Sequence, residues 1–237
     1  MLFDVVQEVQ AQVETLVPSK PKRVEGDGEE QILGLNSLTD DSNERLAKLE
    51  QHAPNSVLES GVTRYGSVLN EWTCTASATI IYDSTVDEFT SECLFRAVKG
   101  KPNIAIVATT TDGDVFGGFY SVAVTRQDGW FYDPCMFIFS FESHGRCMTP
   151  QRFALKEERK KKVFVQFCKN DRWGFVFCGV YGCGGFYLGN ESSESYCWNV
   201  SCAFEGLEDT TLTDQNNTNY NFPPYHHCTR LVAIQLE

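Results

Sequence analysis

Residues 100–141 read GKPNIAIVATTTDGDVFGGFYSVAVTRQDGWFYDPCMFIFSF, and this stretch decides the fold class. Ile104–Thr110 is rich in β-branched residues, which suit a pleated, half-buried surface. Thr111-Asp112-Gly113-Asp114 is the turn, because Asp-Gly supplies the backbone freedom of a tight hairpin. Val115–Val124 is the expected return strand. Cys135–Phe141 (CMFIFSF) is apolar at nearly every position, the pattern of a strand buried on both faces. A sheet protein is built around such a unit, and no catalytic constellation sits inside it.

Working outward, Ala78–Tyr82 (ATIIY) reads as a short strand. Ser84-Thr85-Val86-Asp87 fits a helix-capping signature, with a hydroxyl at the cap and a carboxylate three residues on. Val86, Phe89, Cys93 and Ala97, flanked by Leu94 and Val98, then form one apolar helix face that Gly100 ends. Val163–Cys168, Trp173–Cys178, Gly185–Leu188, Cys197–Phe204 and Thr229–Leu236 are short, β-rich and divided by turn residues. Leu207–Pro224 is polar and turn-rich, as expected of a long exposed loop. Many short strands with one well-specified helix predict a mainly β (α+β) fold, a two-sheet antiparallel sandwich over 61–237.

Residues 1–60 differ from the rest. They hold one aromatic residue, Phe3, and carry 12 Asp/Glu against 5 Lys/Arg. Leu2, Val6, Val9, Val13 and Leu16 follow a heptad seam that Pro18 stops, which predicts a helical, coiled-coil-like extension able to self-associate through residues 2–17. Residues 18–30 read as a charged linker and 32–50 as a second helical stretch. The chain's net charge of −12 argues against nucleic-acid binding, which needs a positive footprint. No secretory signal or membrane-spanning run is read, so a cytoplasmic location is expected. The ten cysteines are then read as reduced thiols serving as small hydrophobes, and the sequons at Asn190, Asn199 and Asn216 as incidental.

Candidate sites follow from residue type and spacing. The Cys183, Cys197, Cys202, His227 and Cys228 region is the one place where a metal or redox centre could be built. Cys178 and Cys183, and Cys197 and Cys202, are each separated by four residues rather than the two usual for zinc knuckles, so neither metal nor cofactor is expected. Four histidines and no recognisable nucleophile motif give no catalytic set. Gly179–Gly185 lacks the Lys-Ser/Thr of a phosphate loop and reads as a glycine turn between strands. The basic run at Lys156–Lys162 reads as a solvated face.

The order of Ile81-Tyr82-Asp83-Ser84, Thr111-Asp112-Gly113, Val115-Phe116-Gly117-Gly118-Phe119, Phe137-Ile138-Phe139-Ser140, Gly182-Cys183-Gly184-Gly185-Phe186-Tyr187-Leu188-Gly189 and Ser201-Cys202-Ala203-Phe204 resembles the TLDc domain of the oxidation-resistance protein family. The resemblance covers roughly residues 62–237. The chain departs from the family at Phe186, where a small or acidic residue is usual, and in the long 207–224 loop. The resemblance implies a β-sandwich with short outer helices, a non-enzymatic role in oxidative-stress protection, and binding to vacuolar proton pump (V-type ATPase) subunits. The candidate partner-binding positions are Asp112, Gly113, Gly117, Gly118, Gly182, Gly184, Gly185 and Tyr187.

Overall fold

The computed structural model describes residues 57–169, 175–190, 195–213 and 226–237. The expected helices and linker within residues 2–50 lie outside the described residues. So does much of the 207–224 loop.

Two antiparallel sheets form the domain. The first has six strands in the order β1 (Ala78–Asp83), β11 (Cys228–Leu236), β2 (Ile104–Thr110), β3 (Val115–Tyr120), β5 (Phe137–Glu142) and β6 (Gln151–Ala154). The second has five, in the order β10 (Tyr196–Trp198), β9 (Gly184–Leu188), β8 (Val176–Val180), β7 (Val163–Phe167) and β4 (Phe131–Tyr132). Their inner faces meet in one apolar layer. There Phe116 meets Phe186 edge-on at 5.7 Å and Tyr120 meets Phe167 at 5.8 Å. The last strand sits between β1 and β2 and pairs with both, so the end of the chain closes the first sheet.

The β2–β3 hairpin forms as the sequence dictates. Gly113 takes φ +85° at the turn, a conformation glycine reaches without Cβ strain. Gly113 N–H bonds the Thr110 carbonyl, and Thr110 N–H that of Asp114. The return strand ends at Tyr120, short of Val124, because Ser121 turns away and donates its N–H and hydroxyl to buried Asp133. β5 is buried on both sides, as its composition predicts. Ile138 faces the inner layer, while Phe137, Phe139 and Phe141 face outward.

That outer face is closed by a helix the sequence reading missed. α1 (Val57–Thr73) runs through the expected boundary at residue 61. It sets Tyr65, Val68, Leu69 and Trp72 at helical spacing over Phe137, Phe139, Phe141, Val232, Ile234 and Leu236. Tyr65 stacks on Phe141 at 4.1 Å and Trp72 on the same ring at 5.8 Å.

Three further elements differ from expectation. The second helix, α2 (Ser91–Val98), starts later than 86, with Thr90 as its N-cap accepting from Cys93 N–H at 3.3 Å. Residues 84–87 form a turn instead. Asp83 accepts from Thr85 N–H and Oγ1, and Asp87 accepts from Asp83 N–H, so these side chains serve the turn and not a cap. Cys197–Phe204 is not one strand. Asn199 at φ +41° breaks it into β10 and a helical turn, α3 (Val200–Ala203). The strand expected from Trp173 starts at Val176. The basic run forms a 3-10 turn, Glu157–Lys162, with no buried residue.

Leu69, on the inner face of α1, is fully buried. Leu69→Ala should lower the unfolding free energy by about 3 kcal/mol. In urea this reads as a lower midpoint at an unchanged m-value. A loss below about 1 kcal/mol would show that α1 is not a structural cover of the first sheet.

Candidate interaction surface

The two sheets are finished differently. Where α1 covers the first, the outer face of the second presents a continuous aromatic band. Strand alternation generates it. Val163, Val165, Val176, Cys178, Val180, Phe186, Leu188 and Cys197 point into the core, so their neighbours in sequence point out. Register then lines these up in two rungs. Phe177, Tyr187 and Tyr196 pair directly across β8, β9 and β10. Tyr132, Phe164, Gly179, Gly185 and Trp198 pair across all five strands.

The two glycines of the second rung let the ring of Phe177 lie low. A Cβ on Gly179 would come within 3.0 Å of that ring and one on Gly185 within 3.1 Å. Phe177 then contacts Tyr187 at 4.8 Å and Trp198 at 5.5 Å. Trp130 stands edge-on to Phe177 at 5.5 Å, to Phe164 at 5.9 Å and to Tyr181 at 5.6 Å. Phe177 and Trp198 are buried and Phe164 half-buried, but Trp130, Tyr132 and Tyr181 are 42, 48 and 63% exposed. These are three of the four large apolar side chains called exposed among the described residues, and the fourth is Met148. A soluble surface rarely concentrates such side chains without a contact to make, and Trp and Tyr are the residues that anchor interfaces.

The sequence-selected positions divide sharply. Asp112 and Gly113 are exposed at the hairpin tip. Gly182, also exposed, takes φ +67° at the β8–β9 turn beside Tyr181. Tyr187 belongs to the aromatic band and Gly185 to its floor. Gly117, Gly118 and Gly184 are buried and touch no outer surface. A Cβ on Gly117 would strike the Ile106 carbonyl, and one on Gly118 would come within 3.0 Å of Phe186. These three, with Gly185, are buried. They are there because backbone and rings approach too closely for a side chain.

The polar interior is structural. Asp83 is buried and receives Arg230 through both Nε, at 2.9 Å, and Nη2. Burial raises its carboxyl, but the Arg230 bond and charge and the Thr85 bonds outweigh this and hold it below the usual range. Asp114, also buried, accepts from Arg146 Nη2 and faces His144 Nδ1 at 2.9 Å. The pair pins the hairpin to the 143–147 loop.

Four buried thiols, Cys168, Cys178, Cys197 and Cys228, are held protonated by burial. Burial pushes Cys168 and Cys228 up to about 11 and raises Cys178 and Cys197 well above the ordinary thiol range. His226 lies against Phe116, with neither ring nitrogen bonded among the described residues. Burial and the neighbouring His227 lower it to about 4. Among the described residues no three His, Cys, Asp or Glu side chains converge on a metal position, and no helix is long and apolar enough to cross a membrane. One expectation is overturned: Cys183 and Cys202 are joined in a disulfide. Gly184 makes the join possible. Its bare Cα lets the Asn199 carbonyl against the β8–β9 hairpin, which brings α3 over Cys183.

A family model for the TLDc domain matches residues 64–224, well over half of the chain, and the chain belongs to that family. No curated protein matches it significantly.

Two outcomes follow from the buried groups. Unfolded, His226 titrates near pH 6.5; folded, it stays neutral to about pH 4. The unfolded chain thus binds more protons in that window, and stability falls as pH drops from 6.5 to 4, by about 3 kcal/mol from this group. Asp83, lowered in the folded state, adds its loss only below the usual carboxylate range. His226→Leu should flatten the 6.5–4 segment of a denaturation-versus-pH series and leave the lower segment intact. Gly117→Ala should cost about 3 kcal/mol or more through the backbone clash, whereas Asp112→Ala at the exposed turn should cost under about 1 kcal/mol, both read by chemical denaturation.

Proposed function

We propose that this TLDc-domain chain is a non-enzymatic protein-interaction module of the cytoplasm, acting in oxidative-stress protection by engaging subunits of the vacuolar proton pump. The observation that carries the interaction reading is the aromatic band on the second sheet. Trp130, Tyr132 and Tyr181 combine large contact area, few rotatable bonds and a polar tip, and they stand on a rigid floor of Phe177, Phe164 and Trp198. A partner covering them gains apolar burial without first ordering the surface.

The chemistry of the domain favours binding over turnover. Four thiols are held protonated by burial, and among the described residues neither ring nitrogen of the buried His226 has a hydrogen-bond partner. The pump as partner, and the link to oxidative stress, rest on the family. The acidic balance of the chain, −12 overall, suits a partner with a basic rim, since complementary charge steers encounter.

The test is capture from cell lysate with the full chain against Trp130→Ala and Tyr181→Ala. The wild type should retain pump subunits. Each substitution should weaken capture by about thirtyfold, the fold-change of a 2 kcal/mol hot spot, while the melting temperature stays within a few degrees. Retention of other proteins but no pump subunit by the wild type would sink the pump assignment. Unchanged capture by both variants would move the interface away from the band.

A further inference from the structure

The disulfide sits in an unusual electrostatic setting. Cys202 Sγ is half-buried and lies 3.4 Å from Arg159 Nη2. The Nε of the same guanidinium is buried with no hydrogen-bond partner, and among the described residues no carboxylate pairs with Arg159. The residue as a whole is half-buried, and among the described residues the one side-chain hydrogen bond of its guanidinium is to a sulfur.

More positive charge surrounds it. Lys156 Nζ donates to the Ser201 carbonyl at 2.7 Å, one residue from Cys202. The run Arg159-Lys160-Lys161-Lys162 completes the 3-10 turn above it. Two nearby carboxylates are committed, Asp209 accepting from Ser201 N–H and Glu157 from Lys160, while Glu205 faces Lys160. Cys183 is 7% exposed, and its Cα lies 6.2 Å from that of Cys202, within the span a disulfide bridges without backbone movement.

We propose that Cys202 is a hydroperoxide-reactive thiol and Cys183 its resolving partner, with Arg159 positioning and charge-stabilising the attacking sulfur. In the reduced pair the guanidinium favours a thiolate at Cys202, the nucleophilic form. The thiolate attacks the peroxide O–O bond. An S–O bond forms, the O–O bond breaks, and the leaving oxygen departs as an alcohol or water after taking up a proton. The resulting sulfenic acid condenses with the Cys183 thiol, forming the S–S bond and releasing water. Two electrons pass from the sulfurs to the peroxide. A thiol reductant returns the pair to the dithiol by exchange. In a reducing compartment, a disulfide of this kind is expected to be transient and redox-sensing. The inference is independent of the partner-binding reading.

Cys93 is the internal comparator. It also has a guanidinium against its sulfur, Arg96 Nη2 at 3.1 Å, but the sulfur also faces the Glu88 carboxylate at 3.5 Å.

The test starts from the full chain reduced with a phosphine and desalted. It is exposed to hydrogen peroxide for timed intervals, alkylated and mapped by mass spectrometry. The Cys183–Cys202 crosslinked peptide should accumulate before oxidation of Cys93 or exposed Cys135. In Cys183→Ser, Cys202 should collect a dimedone-reactive sulfenic acid, whereas in Cys202→Ser Cys183 should collect none. Arg159→Gln should slow the Cys202 reaction about tenfold or more, and Arg159→Lys should recover part of the rate. Circular dichroism confirms that each variant is folded. The proposal is overturned if Cys93 or Cys135 oxidises first, if folded Arg159→Gln reacts at the wild-type rate, or if Cys183→Ser gives no dimedone adduct on Cys202.

Discussion

Strand β3 is pressed from both sides, and the rest of the domain depends on that contact. At Gly118 the second sheet arrives so closely that an added Cβ would lie 3.0 Å from Phe186 and 3.2 Å from Cys178. At Gly117, one residue back and on the opposite face, Phe139 and the Ile106 carbonyl leave no room either. A side chain at Gly117 would force apart neighbours within the first sheet, and one at Gly118 would hold the second sheet off. The inner layer of Phe116, Tyr120, Phe167 and Phe186 would then lose its edge-on contacts, and dispersion falls steeply with even a small gap. Close packing here lets a short strand serve as the centre of a three-layer arrangement: second sheet, first sheet, α1.

The same economy governs the buried charges. Asp83 and Arg230 join β1 to β11, and Asp114 with Arg146 and His144 joins the central hairpin to the 143–147 loop. Each lies near a strand end, where ladder bonds run out. A buried ion pair adds little net stability against its desolvation cost, but breaking it leaves a stranded charge. Such pairs therefore fix register more than they add stability. This suits a sheet whose final strand must insert between two others already separated by some 20 residues of chain.

How much of this was legible in the sequence depends on how local the signal was. The Asp112-Gly113 turn, β2, β5 and the two-sheet class were readable because turn chemistry and β-branched runs act within a few residues. α1 was missed although Tyr65, Val68, Leu69 and Trp72 keep helical spacing, because a composition change near residue 60 was taken for a boundary. The turn at 84–87 imitates a cap, since a hydroxyl and a carboxylate at that spacing satisfy either geometry. Asn199 gives no sign that it will adopt positive φ and split a strand from a helical turn. The aromatic band was invisible for a different reason. In VFVQF and VFCGV both alternate sets are apolar, so alternation cannot say which set faces the core. Only the order β10-β9-β8-β7-β4 shows that the second set forms a surface. The Cys183–Cys202 join likewise depends on α3 folding back over a hairpin, and spacing instead grouped Cys178 with Cys183 and Cys197 with Cys202.

The β8–β9 turn is where these features converge. Gly182 holds the left-handed conformation that turns the chain, Cys183 N–H closes the turn on Val180, and Tyr181 N–H bonds Lys162 at the end of the basic 3-10 turn. Tyr181 extends from this turn into the aromatic band, and Cys183 extends from it into the disulfide. Backbone hydrogen bonds fix both residues independently of the S–S bond, so the turn keeps its shape in either oxidation state. A change in partner affinity on oxidation would therefore have to come through α3 and the Arg159 segment that Cys202 engages. The surface and the thiol pair are thus physically separable, although three consecutive residues carry one end of each.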